Sequence, residues 1–397
     1  LIDGIYQQLF LNGSKDFQAL AARENVVVGV YNPVTPAGLF KLNYRMHDKY
    51  VIVDDEMYLL GGRNSNDIFL GDYTTDINVD RDILVWDITK GEGESLQELE
   101  AYFRQIWNED CVQIKGGRKK NSSDISVSEE AADDSEDAES NSKNSNIVNG
   151  IPNVENEIID ETQEKLSKYE KQYQSLEMRY ASLKEKYTDI EDYSSWQEDT
   201  IPANKITLVN NGTHAGPKTP LVLQTIRYLA QNAENVTIQT PYVICNGYMY
   251  DTLNEIASHA QLKIILNAVE KGSNPWGCTD YLNQKKKILN TGADVYELMN
   301  EVPVHTKAVL LDDRLSVVGS YNLDMRSTYL DTELMLVIDS KELNQQIQFT
   351  EGTYIEKSKE VLSNGQETEG AQYETKVLNW QKKLFYGVLR IIIRPLR

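Results

Sequence analysis

The sequence predicts an α/β protein of two related lobes, each carrying one copy of the same motif. Three observations carry that prediction. His47, Lys49, Asp54 and Asn64 recur as His305, Lys307, Asp312 and Asn322 at identical spacing. Short apolar runs alternate with amphipathic segments in both halves, the pattern of packed α/β layers. A long acidic stretch of different composition separates the halves. The motif's neighbours agree too: Asp55 matches Asp313, and Gly61-Gly62 matches Gly319-Ser320. One His-x-Lys would mean little. Two copies point to a duplicated active-site element, with the lobes facing each other so that the copies meet.

In the first half, 25–31 reads as a strand. Lys49 to Asp54 is a short apolar run that reads as a buried strand, Asp54-Asp55 as a turn, and Met57 to Gly61 as the return strand. Residues 83–88 form a further strand. Glu94 to Trp107 is helical, with Leu96, Leu99, Tyr102, Phe103 and Ile106 on one face. In the second half, strands are expected at 206–209, 236–240, 262–266 and 295–298. Helices are expected near 220–233, 248–260 and 280–290. Lys307 to Asp312 and Leu315 to Gly319 repeat the motif hairpin. A strand at 333–338 and a helix from Lys341 follow.

Alternation along a strand puts His47 and Lys49 on one side, and likewise His305 and Lys307. The glycines allow close backbone approach, and each asparagine lies just beyond. Two imidazoles, two ammonium groups and two amides suit a tetrahedral phosphate. One imidazole can attack phosphorus while the other protonates the leaving oxygen. Lys49, Lys307, Asn64 and Asn322 would hold the non-bridging oxygens. Such a site calls for no metal and no cofactor. Ser320 is the asymmetry of the pair, a phosphate donor present on one side only. Asp54 and Asp312 lie a whole strand from their histidines, so their side chains are expected to shape the turns.

These residues resemble the phospholipase D superfamily, whose motif is His-x-Lys-x4-Asp followed by Gly-Gly/Ser-x-Asn. Arg45 to Lys49, Gly61 to Asn64 and Gly319 to Ser327 look most like bacterial cardiolipin synthases, with Arg81 to Val85 and Thr240 to Val243 adding to the likeness. The resemblance covers about 1–112 and 201–345. It implies two pseudo-symmetric α/β/α lobes with the active site at their interface. It also implies phosphatidyl transfer between phospholipids through a phosphohistidine, His47 being the nucleophile and His305 the acid/base. It assigns the orientation of the imidazoles to Glu333 and, as its first-half counterpart, Asp82. The implied setting is a bacterial cytoplasmic membrane, with a phospholipid substrate and an anionic membrane surface as partners. Hydrolysis of a phosphodiester, as by a phospholipase D or nuclease, is the alternative within enzymes. An interaction protein with a vestigial site is the alternative outside them, disfavoured by intact His, Lys and Asn in both motifs.

The organisation expected is a first lobe at 1–112, an insertion at 113–200, a second lobe at 201–360 and a basic amphipathic tail at 361–397. The second half has a strand and a helix, 205–260, for which the first half shows no equivalent. The repeat therefore implies a first lobe truncated at its N-terminus, and any membrane anchor preceding that unit is expected to be missing with it. Gly116 to Asn149 is rich in Ser, Asp, Glu and Asn and is expected to be disordered. From 159 to 190, Leu166, Tyr169, Tyr173, Leu176, Tyr180, Leu183, Tyr187 and Ile190 form a heptad stripe. That stripe either packs on its own domain or serves self-association or a lid. The tail mixes Trp380, Leu384, Phe385, Val388 and Leu389 with Lys382, Lys383, Arg390, Arg394 and Arg397. It suits a membrane interface or a docked C-terminal helix.

Composition narrows the field further. The formal charge is −21, and 113–200 contributes 21 acidic against 11 basic residues. Such acidity disfavours whole-surface binding to nucleic acid, and no basic, aromatic-rich track is present. Cys111, Cys245 and Cys278 show neither paired nor metal-ligand spacing, which argues against a disulfide framework or a zinc site.

Overall fold

The computed structural model describes residues 1–54, 56–71, 74–89, 91–115, 153–189, 191–192, 194–378 and 380–393. The stretch Gly116 to Asn149, expected to be disordered, lies outside them, as do Asp55, Ile190, Arg394 and Arg397. The chain forms two compact units. One comprises 1–2, 6–30 and 113–191, the other 3–5, 31–112 and 192–397.

In the first unit the heptad segment as far as Lys186 lies in one helix, Asn153–Lys186, which packs on the short helix Lys15–Ala21. Two tyrosines of the stripe meet the chain's own residues there. Tyr169 donates its hydroxyl to Gln18 Oε1 at 2.8 Å, and the Arg23 guanidinium stands 3.6 Å above the Tyr173 ring, a cation–π contact. Arg179 pairs with Asp16 at 3.0 Å.

The second unit is α/β, as the alternation of elements predicts. Its larger sheet has nine strands in the order Glu367–Glu369, Ser358–Val361, Asp294–Leu298, Gln261–Asn267, Asn235–Gln239, Ala308–Leu311, Leu315–Gly319, Leu334–Asp339 and Lys205–Asn210. Gln261–Asn267 runs parallel to both of its neighbours, and the other pairs are antiparallel. The parallel strands are joined by helices Gly247–Ala257 and Pro275–Leu289, as parallel pairing requires. These helices and Leu221–Ala230 cover one face, burying Leu223, Ile226, Met249, Leu253 and Ile256 with Ile264 and Val317. Helix Lys341–Glu356 contributes Ile347 to the other face, against Ala308, Leu310 and Val318. The motif hairpin of the second half is therefore central and covered on both sides, and its strands are buried almost throughout.

The first-half hairpin belongs to a smaller antiparallel sheet of Tyr50–Val53, Met57–Gly61 and Asp82–Trp86. Helix Glu94–Trp107 buries Leu96, Leu99, Tyr102 and Ile106, the face its spacing predicts, while Phe103 is half-buried. Strand Met57–Gly61 touches strands Leu315–Gly319 and Leu334–Asp339 of the large sheet. The two hairpins thus come together inside one unit.

Two differences from the sequence expectation have plain causes. Helix Pro275–Leu289 begins at Pro275 rather than Asp280. Asn274 caps it, its side chain accepting the N–H groups of Trp276 and Gly277, and an Asn-Pro start is a capping signature. Ser358–Val361 and Glu367–Glu369 are strands at the sheet edge. Their polar, charged composition is that of a protected edge and hides the alternation that would mark a strand.

Candidate functional site

Each histidine is held by a carboxylate from the other half of the chain. His47 Nδ1 lies 3.0 Å from Glu333 Oε1, and His305 Nδ1 lies 2.7 Å from Asp80 Oδ2. The backbone explains the crossing. Met46 bridges Thr332 in parallel, and Val304 bridges Val79 in the same way. The residue before each histidine is therefore registered with the residue before the opposite carboxylate. Hydrogen bonds repeat the symmetry: Thr332 N donates to Arg45 O at 2.9 Å, and Val79 N donates to Pro303 O at 2.9 Å.

This geometry moves the first-half acid from Asp82 to Asp80. Asp82 pairs instead with Arg63, whose Nε donates to Asp82 Oδ2 at 2.6 Å. The same guanidinium donates to Phe69 O at 2.8 Å and Asp80 O at 2.9 Å. Asp82 thus acts on the loop that delivers Asp80. The period of the strand does not separate the two. Asp80 and Asp82 share one face, but Asp82 stands opposite Gly61 in the ladder just as Met335 stands opposite Gly319. Glu333 therefore corresponds to the residue two positions before Asp82.

Asp54 and Asp312, the acidic members of the two motifs, are not brought to the histidines. Both occupy the hairpin turns in the left-handed region, φ 49° and 50°, which aspartate tolerates better than most residues. Asp312 Oδ1 also accepts the N–H groups of Glu234 and Asn235, each at 2.9 Å. Ser320, read as a phosphate donor, gives its hydroxyl to Glu333 Oε2. Asn322 is buried, its Nδ2 3.4 Å from Ser327 Oγ and its Oδ1 without a partner. Asn64 is half-buried beyond Gly62.

The lysines lie inside. Lys307 is buried, its ammonium 3.1 Å from His305 Nε2 and 3.7 Å from Asp80 Oδ2. Lys49 donates to the His47 carbonyl. Burial lowers both ammonium groups from the usual lysine range, Lys307 to about 7. Burial likewise pushes His305 down to about 3, helped by Lys307 and Lys49, and pushes His47 well down, helped by Lys49 and Lys307. Each imidazole feels the lysine of the other half as well as its own, so the two motifs share one electrostatic field.

The carboxylates differ. Burial raises Glu333 to about 7 against the pull of Lys49 and the Ser320 hydroxyl. At Asp80 burial is outweighed by Lys307 and the His305 hydrogen bond, and its carboxyl drops to about 2. A network not legible in the sequence backs His47. Thr332 Oγ1 accepts His47 N at 3.2 Å and donates to Asp48 Oδ2 at 2.8 Å, which also accepts the Tyr102 hydroxyl at 2.7 Å. These partners lie far apart in sequence and belong to no motif. A cleft of about 190 Å³ opens at His305, lined also by Phe69, Tyr242, Asn267, Asn274 and Cys278. The Phe69 ring stands edge-on to His305 with centroids 5.0 Å apart.

Residues 225–350 match the family described as the phospholipase D-like domain of cardiolipin synthase. Cardiolipin synthase A of Buchnera aphidicola subsp. Baizongia pistaciae is 30% identical over 34% of this chain and 27% of its own length. The enzyme of that name from Escherichia coli O157:H7 (strain EC4115 / EHEC) is 31% identical over 36% of this chain and 30% of its own length. The chain thus spans about a third of the length of the curated relatives it matches. The crystal structure of phosphatidylserine synthase from Haemophilus influenzae Rd KW20 superposes with a TM-score of 0.53 at 14% identity, covering 100% of this chain and 81% of that one. Residues 225–350 thus resemble a phospholipase D-like domain, and the chain as a whole shares the α/β fold of that synthase.

Proposed function

We propose that the chain is a phosphatidyltransferase that acts on phospholipids through a phosphohistidine, and that it forms cardiolipin. The observation that carries this reading is the crossed pairing of His47 with Glu333 and His305 with Asp80. Each imidazole is held through Nδ1, which leaves His47 Nε2 for the substrate and sets His305 Nε2 beside the Lys307 ammonium. This is the arrangement that stepwise phosphoryl transfer needs. The likeness of 225–350 to the cardiolipin synthase domain supports the choice of substrate class.

In this mechanism His47 Nε2 attacks the phosphorus of a phospholipid. The N–P bond forms as the P–O bond to the leaving glycerol breaks, and His305 gives its proton to the departing oxygen. An acceptor hydroxyl then loses its proton to His305, and its oxygen displaces His47 from phosphorus. The resting imidazoles are neutral, held so by burial and the lysines. An arriving phosphodiester anion raises the pKa of both and lets one be protonated. The ionised Asp80 favours the imidazolium at His305, which supports its role as the acid. Lys307 and Lys49 neutralise the non-bridging oxygens.

The test is a trapped phosphoenzyme. A short-chain phosphatidyl donor carrying labelled phosphate should label the wild type and His305→Ala, and leave His47→Ala unlabelled. His47→Ala should also lose at least ~10³-fold in kcat/KM. Label on His305 would reverse the two roles, and full turnover in both variants would end the proposal. Diphosphatidyl product rather than phosphatidate would separate transfer from hydrolysis.

A further inference from the structure

Helix Trp380–Ile393 packs on Pro275–Leu289 by one face. Tyr386 and Leu389 are buried, the Tyr386 hydroxyl bonds Cys278, and Arg390 Nε donates to Asn283 Oδ1 at 3.0 Å. The other face is apolar and open. Trp380, Leu384 and Val388, one turn apart, are 72%, 61% and 50% exposed, and Phe385 is 51% exposed. Contiguous bulky side chains in water mark an interaction surface, whereas single ones do not.

Charge says what covers it. Thr375 to Arg397 holds six basic and no acidic residues within a chain of net charge −21. Lys382, Lys383 and Arg390 flank the apolar stripe, and Lys286 and Lys287 are exposed at the end of the helix beneath it. In a symmetric pair of copies this basic face would meet its own like charge and be repelled. An anionic lipid surface fits a helix of this composition.

Position says what the surface serves. Cys278, which Tyr386 touches, lines the cleft that contains His305. Trp276, between the cleft residues Asn274 and Cys278, is exposed. Phe69 lines the same cleft, and its neighbours Ile68 and Leu70 are exposed. Open apolar groups therefore border the cleft on more than one wall.

We propose that this face docks the protein on an anionic phospholipid bilayer. Trp380, Leu384, Phe385 and Val388 enter the headgroup layer, Lys382, Lys383 and Arg390 meet the phosphates, and the His305 cleft opens at the lipid surface. The role of the docking rests on the function proposed above, but the docking itself is measurable without turnover. The full chain is sedimented with vesicles of equal parts phosphatidylglycerol and phosphatidylcholine, and with phosphatidylcholine alone. Binding to the anionic vesicles should be stronger by about tenfold or more. Leu384→Ser/Phe385→Ser and Lys382→Glu/Lys383→Glu should each weaken it by about tenfold, with circular dichroism and short-chain turnover unchanged. Brominated phosphatidylglycerol should quench tryptophan fluorescence in the wild type and quench it less in Trp380→Phe. Equal binding to neutral vesicles, or unchanged binding in both double variants, overturns the proposal. So does a dimer that Leu384→Ser/Phe385→Ser makes monomeric while vesicle binding stays the same. If the variants behave as expected but no turnover is found, the functional reading fails and the docking stands.

Discussion

The hairpin at 50–61 and the hairpin at 308–319 are set within the same four-residue motif but in unlike surroundings. The second lies in the middle of a nine-stranded sheet with helices on both faces, and its strands are buried. The first lies in a three-stranded sheet, with Val51, Val53 and Leu59 exposed. The accompanying acids differ in charge, although both side chains are shut off from solvent. Asp80 sits against Lys307 and stays ionised, whereas Glu333 is fully buried, hydrogen-bonded by Ser320 and raised to about 7. Gly62 stands where the other half has Ser320, and a Cβ there would lie 2.5 Å from Asp80 Oδ1. The lesson is that a duplicated motif repeats the reacting groups but not their charge state. That state comes from burial and from which neighbour reaches each carboxylate.

The largest expected effect tests the crossing itself. Asp80→Asn should lower kcat/KM by roughly 10³- to 10⁴-fold, the upper figure being the order seen when an acid that orients a catalytic histidine is neutralised. Asp82→Asn should lower it by less than about tenfold, because it only loosens Arg63 from a partly exposed pair. Steady-state rates on a soluble donor decide this, and the reverse ranking would undo the assignment of Asp80.

A smaller effect comes from making the halves alike. Gly62→Ser forces a Cβ onto the Asp80 carboxylate and should cost about 10- to 100-fold in kcat/KM by displacing it from His305. Ser320→Gly removes one hydroxyl from Glu333 and should cost less than about tenfold. If Gly62→Ser were silent, the tight approach of Gly62 to Asp80 would be of no consequence.

The smallest effect is on pH dependence. Glu333 is raised, so it is ionised only above about 7; Lys307 is lowered, so it is protonated only below about 7. Activity that needs both should rise to a narrow maximum near 7 and fall by up to about tenfold per pH unit on either side. Ser320→Gly removes a bond that lowers Glu333, so the acid limb should move to higher pH. Lys307→Arg keeps its charge and should flatten the alkaline limb. A plateau across pH 5–9 in the wild type would show that neither group titrates in the reaction.

The sequence by itself determined the α/β class, the two hairpins, the helix Glu94–Trp107 and the two sets of His, Lys and Asn. These follow from local period and spacing, which neighbouring residues express without help from distant ones. It also marked Asp54 and Asp312 as turn residues, since a whole strand separates them from the histidines. Tertiary structure alone decided that Asp80 rather than Asp82 meets His305, because strand register across two halves chooses between residues two apart on one face. It alone decided that the Ser320 hydroxyl goes to Glu333, and that Thr332, Asp48 and Tyr102 stand behind His47. It also set the open apolar face on helix Trp380–Ile393, since which side of an amphipathic helix is covered depends on the partner helix. Pairings between residues hundreds of positions apart leave no periodic trace in a single chain, and burial, which sets the charge of each group, is a property of the packed whole.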